Sequence, residues 1–196
     1  LGFRMNPDIL DPEVYPQKPF GFFYFYGKNY KAFHVRFKDM SRGGWRIVMT
    51  RSQNQYIRES ERVFDEAYNL AIAQNLKNKD IPEGGSKCVM LLAPNGNKLQ
   101  AVKAAINSFL DLILTDPQGR SLPEVVDYYQ KPELIYIGPD ENITDYIINW
   151  IVKRANERKY AYPDAFMSSK PGAGISHKQY GVTSEGVNVY LEESLK

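Results

Sequence analysis

The sequence predicts an α/β fold, a three-layer-like domain in which helices flank a mostly parallel mixed sheet that carries an antiparallel hairpin near its start. Two observations lead there. Short apolar runs bounded by glycine and proline alternate with stretches of helical period, and two aromatic runs near the start close on a turn. With 196 residues, 43% of them hydrophobic, the chain is long enough for one domain with its own core. We divide it into an extended N-terminal segment over residues 1–20, the α/β domain over 21–182, and a connecting helix over 183–196.

Prolines at 7, 12, 16 and 19 keep the first segment extended and irregular. Phe22-Phe23-Tyr24-Phe25-Tyr26 and Ala32-Phe33-His34-Val35-Arg36-Phe37 are β-prone and flank Gly27-Lys28-Asn29-Tyr30, which gives the hairpin. In its second arm Phe33, Val35 and Phe37 alternate with His34, Arg36 and Lys38, the pattern of a strand covered on one side. Ser41 to Arg46 reads as a loop. Ser52-Gln53-Asn54-Gln55 is a capping box, and the helix it starts runs to about Asn78, burying Phe64, Ala67 and Ala71. Lys77 falls in the last turn, where a cation suits the helix dipole.

A glycine-rich loop at Lys87 leads into Cys88 to Ala93, a short buried strand ended by Pro94-Asn95-Gly96. A second helix from about Asn97 to Leu114 turns Leu99, Val102, Ile106, Phe109, Leu110 and Ile113 to the core. Leu134-Ile135-Tyr136-Ile137 is another buried strand, stopped by Gly138-Pro139. A third helix, from about Thr144 to Lys159, is apolar at Ile147, Ile148, Ile151 and Ala155. From Tyr162 to Thr183 the chain is a loop rich in glycine, serine and proline. Thr183 or Ser184 caps a last helix through Leu195.

Composition removes several function classes. A net charge of +2 is too small for the electrostatic footprint of a dedicated nucleic-acid binder. One cysteine, Cys88, excludes an internal disulfide, and two histidines, His34 and His177, have no metal-ligand spacing. No apolar run is long enough to span a membrane, and the N-terminus has no signal-peptide pattern, so a cytoplasmic, metal-free protein is expected. No glycine fingerprint of a dinucleotide or phosphate loop occurs. Two stretches stand out instead. In each, basic residues lie beside paired glycines: Arg42 before Gly43-Gly44, and Lys87 after Gly84-Gly85 with Lys77 upstream. Paired glycines let a small ligand approach the backbone closely, and a cation there holds a carboxylate.

The stretch from Phe33 to Arg46, then Pro82-Glu83-Gly84-Gly85-Ser86-Lys87, Gly138-Pro139-Asp140-Glu141-Asn142, Pro163 to Gly174 and Tyr180 to Gly186, taken in series, resembles the large, NAD-dependent type of glutamate dehydrogenase. The resemblance covers most of the chain after Phe20. It implies the fold of the N-terminal, substrate-binding domain of amino-acid dehydrogenases, with NAD held mainly by a C-terminal dinucleotide-binding domain that would follow residue 196. It also implies oxidative deamination of L-glutamate to 2-oxoglutarate and ammonium, a homo-oligomer when full length, and a fragment that is inactive alone. By the same resemblance Arg42 holds the side-chain carboxylate of the substrate and Lys77, or its neighbour Lys79, the α-carboxylate. Lys87 matches the catalytic lysine. Asp145 is taken as the catalytic aspartate, with Asp140 as the alternative.

The implied chemistry needs those residue types. After hydride leaves the α-carbon, water must attack an iminium, and something must take its proton. A lysine, with an ordinary pKa near ~10.4, does this at neutral pH only where burial beside other cations brings it down to ~7–8. Arg42 and Lys77 are expected to supply that like-charge pressure. Two readings compete. Aromatic strands with interleaved lysines between Tyr24 and Phe37 faintly resemble the stacking sheet of an RNA-binding domain, and a non-catalytic interaction domain would use its cations only to pair with the 23 acidic residues.

Overall fold

The computed structural model describes residues 1–77, 81–126, 133–170 and 179–196. Lys79, His177 and the stretch 171–178 lie outside them. Among the described residues a six-stranded sheet runs β1 (Gly2–Arg4), β2 (Gly21–Gly27), β3 (Tyr30–Arg36), β4 (Met40–Met49), β5 (Gly84–Leu92) and β6 (Leu134–Pro139), ordered in space β1-β2-β3-β5-β4-β6. The hairpin β2–β3 pairs Gly27 with Tyr30 at its turn. β1 joins β2, and β5 joins β3, both antiparallel, whereas β5, β4 and β6 are mutually parallel. The sheet is therefore mixed, with its parallel part gathered at one side.

The helices are α1 (Gln53–Asn75), α2 (Lys98–Ile113), α3 (Asp145–Glu157) and α4 (Val182–Ser194). α1 forms because Ser52 Oγ accepts the amide of Gln55 at 3.2 Å, while Gln55 Oε1 accepts the amide of Arg51 at 2.9 Å, so the reciprocal half of the capping box lands one residue early. Asn97 caps α2 by accepting the amide of Gln100 at 3.0 Å. α1 covers one face of the sheet through Val63, Ala67, Tyr68 and Ala71, packed on Phe22, Val35, Val89 and Leu91. α2 and α3 cover the other, with Ile147, Ile148, Ile151 and Ala155 buried as the helical period requires. Phe109 of α2 sits at the centre of that layer, its ring 5.2 Å from Phe23, 5.5 Å from Phe25 and 4.7 Å from His34.

Several expectations change. Ser41 to Arg46 and Gly84 to Lys87 are strand and not loop, and β4 lies between β5 and β6. Charge and paired glycines look like a turn locally, but a strand with a neighbour on each side has its ladder completed by tertiary pairing. β3 is covered on both faces, so His34 and Arg36 are buried as fully as Val35. Arg36 is compensated by Glu133 at 2.8 Å, which also takes Arg4 at 2.6 Å. Burial and the charge of Arg36 hold the His34 imidazole down to about 3. The first segment is not wholly irregular, since β1 and a 3-10 turn over Pro7–Ile9 form within it. α1 ends at Asn75, which leaves Lys77 just past its C-terminus. Gly181, at φ 56°, is the N-cap of α4, so Thr183 and Ser184 fall inside its first turn and cap nothing. Finally, of the aromatic run on which the RNA-binding reading rested, Phe25 and Tyr30 are buried whereas Tyr26 is exposed.

Candidate functional site

Side chains alternate along a strand, so β4 turns Arg42, Gly44 and Arg46 toward the α1 layer, and Arg46 indeed pairs there with Glu66 of α1. In the ladder with β6, Arg42 stands opposite Tyr136 and Gly44 opposite Gly138. On β5 the residue facing the same layer is Lys87, across from Val35. Beside the end of α1 lies a cleft of about 720 Å³ whose walls include Arg42, Lys77, Asp140, Asp145, Thr183 and Ser184. The sequence stretches that carry cations beside glycines thus meet at one place, on neighbouring parallel strands and the end of one helix.

Lys87 forms an ion pair with Asp140, and only 11% of its side chain is exposed. The path between them crosses Gly44. A Cβ on Gly44 would lie 1.7 Å from Asp140 Oδ2, so glycine is required there for space and not for an unusual backbone angle. The carboxylate is held in place through its own backbone. The amide of Asp140 donates to Trp45 O at 3.2 Å, the amide of Ile47 to Glu141 O at 3.1 Å, and Asn142 Nδ2 to Ile47 O at 2.7 Å. Asn142 accepts a left-handed φ of 66° to do this. The crowding of Lys87 by like charges that the sequence suggested is not what forms: the group in contact with its ammonium is an acid.

Arg42 is partly exposed and donates its Nε to Glu83 Oε1 at 2.8 Å. Lys77 is exposed at the lip of the cleft. Its approach depends on Gly85, where a Cβ would meet Ala71 O and the Asn75 amide at 2.2 Å each, so that α1 lies directly on β5. The Gly85 amide then donates to Asn75 Oδ1 at 3.1 Å and fixes the helix end. Asp145, the first residue of α3, lines the cleft, where the helix dipole favours its charge. Of the two aspartates, Asp140 is the one in contact with Lys87. The sequence assigns no role to Glu83 and reads Gly44 only as one of a glycine pair open to a ligand, because a side chain's partner on another strand leaves no local signal. Ser168 and Ser169 also border the cleft, and Ser169 has φ 56°.

No family model matches the chain. Among curated proteins it is 40% identical over 196 residues to an NAD-specific glutamate dehydrogenase of Neurospora crassa, a match over 98% of this chain and 19% of that protein. It is 39% identical over 195 residues to glutamate dehydrogenase 2 of Dictyostelium discoideum, over 97% of this chain and 18% of that one. An NAD-specific glutamate dehydrogenase of Saccharomyces cerevisiae is 36% identical over 200 residues. The chain is thus similar over nearly its whole length to part of the large glutamate dehydrogenases, and it spans about a fifth of the length of the curated relatives it matches. Among solved structures, the hetero-hexameric glutamate dehydrogenase of Thermus thermophilus superposes with a TM-score of 0.51 at 15% identity, over 88% of this chain and 33% of that one. That likeness is one of fold.

Proposed function

We propose that the chain is the substrate-binding and catalytic domain of an NAD-dependent glutamate dehydrogenase, which deaminates L-glutamate oxidatively to 2-oxoglutarate and ammonium. The observation that carries the reading is that Arg42, Lys77 and Asp140, the ion-pair partner of Lys87, line one cleft, in a chain 36% to 40% identical to proteins of that name. Arg42 on one wall and Lys77 at the lip take the two carboxylates of a five-carbon diacid, and the distance between the two cations selects its length. Lys87 and Asp140 act between them, on the α-carbon side. Lys87 orients the attacking water through its ammonium, and Asp140, the acid in contact with it, takes the proton of that water and passes a proton to the departing nitrogen. We assign that role to Asp140 over Asp145 because of its contact with Lys87.

The cleft is larger than such a diacid fills, and its open side is bordered by the first turn of α4 with Thr183 and Ser184, which fits one end of a dinucleotide. The sequence holds no phosphate-binding glycine fingerprint, so the rest of NAD is held by residues outside this chain. When bound, NAD supplies the acceptor for hydride.

The test is calorimetric titration of the full-length protein with 2-oxoglutarate, repeated on Arg42→Ala, Lys77→Ala and Lys87→Ala, beside an assay of glutamate-dependent NAD reduction. The expected result is diacid binding weakened by the Arg42 and Lys77 changes, and turnover abolished in Lys87→Ala. Absence of 2-oxoglutarate binding in the unaltered protein, or binding indifferent to both cation changes, overturns the reading.

A further inference from the structure

We propose that Glu83 is a positioning residue for diacid recognition: it clamps the Nε edge of Arg42 so that the Nη edge of the guanidinium faces the cleft and grips the distal carboxylate of the ligand. The inference rests on the reading of Arg42 given above.

A guanidinium offers five N–H donors on more than one edge, so one arginine can bind two carboxylates at once. In this protein Glu83 Oε1 takes Nε at 2.8 Å. Glu83 is itself fixed. It immediately precedes β5, whose Gly84 and Gly85 pair with Ser41 and Arg42 of β4, and only 10% of its side chain is exposed. Arg42, by contrast, is 44% exposed and lines the cleft. The geometry is therefore a buried carboxylate steering an exposed cation. An arginine at such a surface position otherwise samples many rotamers, and ordering it on ligand binding has an entropic cost that a prior clamp removes. The arrangement also explains why an acid is tolerated beside a site for a dianion. Its charge is spent on Nε, while orientation is gained at Nη.

The experiment compares Glu83→Ala and Glu83→Gln in the full-length protein, measuring affinity for 2-oxoglutarate and for 2-oxopentanoate, the same chain without the distal carboxylate. Glutamine keeps an oxygen for Nε, whereas alanine does not. The expected result is a loss of roughly tenfold in 2-oxoglutarate affinity for Glu83→Ala, the size of one charge-assisted hydrogen bond, with 2-oxopentanoate unchanged and Glu83→Gln close to the unaltered protein. In turnover, KM for glutamate rises while kcat holds. Equal loss for both ligands means a merely structural role and overturns the proposal. So does unchanged or tighter 2-oxoglutarate binding in Glu83→Ala, which makes Glu83 a competitor of the ligand. Arg42→Ala separates this from the parent reading: if that change leaves 2-oxoglutarate binding intact, the assignment of Arg42 is wrong. If it weakens binding and Glu83→Ala does not, only the clamp is wrong.

Discussion

Lys87 of β5 reaches Asp140, at the end of β6, across a strand that lies between them, and it does so because that strand carries Gly44 at the crossing point. The glycine is the absence of an obstacle. Gly44→Ala places a methyl group 1.7 Å from Asp140 Oδ2 and must push the carboxylate away from the ammonium. We expect kcat to fall on the order of 10²-fold, the usual consequence of a misplacement of about 1 Å, with the fold retained. Steady-state kinetics with a parallel thermal melt checks this; full activity in a folded variant would refute it.

The two aspartates of the cleft can be told apart. Asp140→Asn removes the partner of Lys87 and is expected to lower kcat by about 10² to 10⁴-fold, the range for a lost proton-transfer group. Asp145→Asn keeps a good first-turn residue on α3 and should change kcat by less than about tenfold. The reverse order of effects would return the role to Asp145.

Glu133 is shared by Arg4 of β1 and Arg36 of β3, all three buried. Glu133→Gln removes the carboxylate charge that two buried guanidiniums share, so a loss of about 3–5 kcal/mol in stability is expected, read from urea unfolding. A loss under about 1 kcal/mol would show that water reaches the cluster.

His34 is neutral in the folded protein, with its pKa held down to about 3, and titrates in the unfolded chain near its ordinary 6.5. Below pH 6.5 the unfolded state therefore binds a proton that the folded state refuses. The stability linked to His34 is complete above that pH and is lost as pH falls toward about 3, at about 1.4 kcal/mol per pH unit. Unfolding measured at a series of pH values for the unaltered protein and for His34→Gln should give a flatter acid limb in the variant. Parallel limbs would exclude His34 as the source.

The sequence by itself determined the elements whose signals are local. α2 and α3 follow their apolar period, α1 its cap at Ser52, the β2–β3 hairpin its turn, and the basic residues beside glycine pairs were visible as a candidate carboxylate site. Only the tertiary structure decided that Ser41 to Arg46 is a strand inside the sheet, that His34 and Arg36 are interior, and that Lys87 meets Asp140 and Arg42 meets Glu83. The physical reason is common to all of these. Periodicity and capping depend on residues a few positions apart, whereas a glycine that makes room, a buried charge with its partner, or an acid that holds an arginine depends on a group brought near by folding. In the Lys87–Asp140 pair that group lies 53 residues away along the chain.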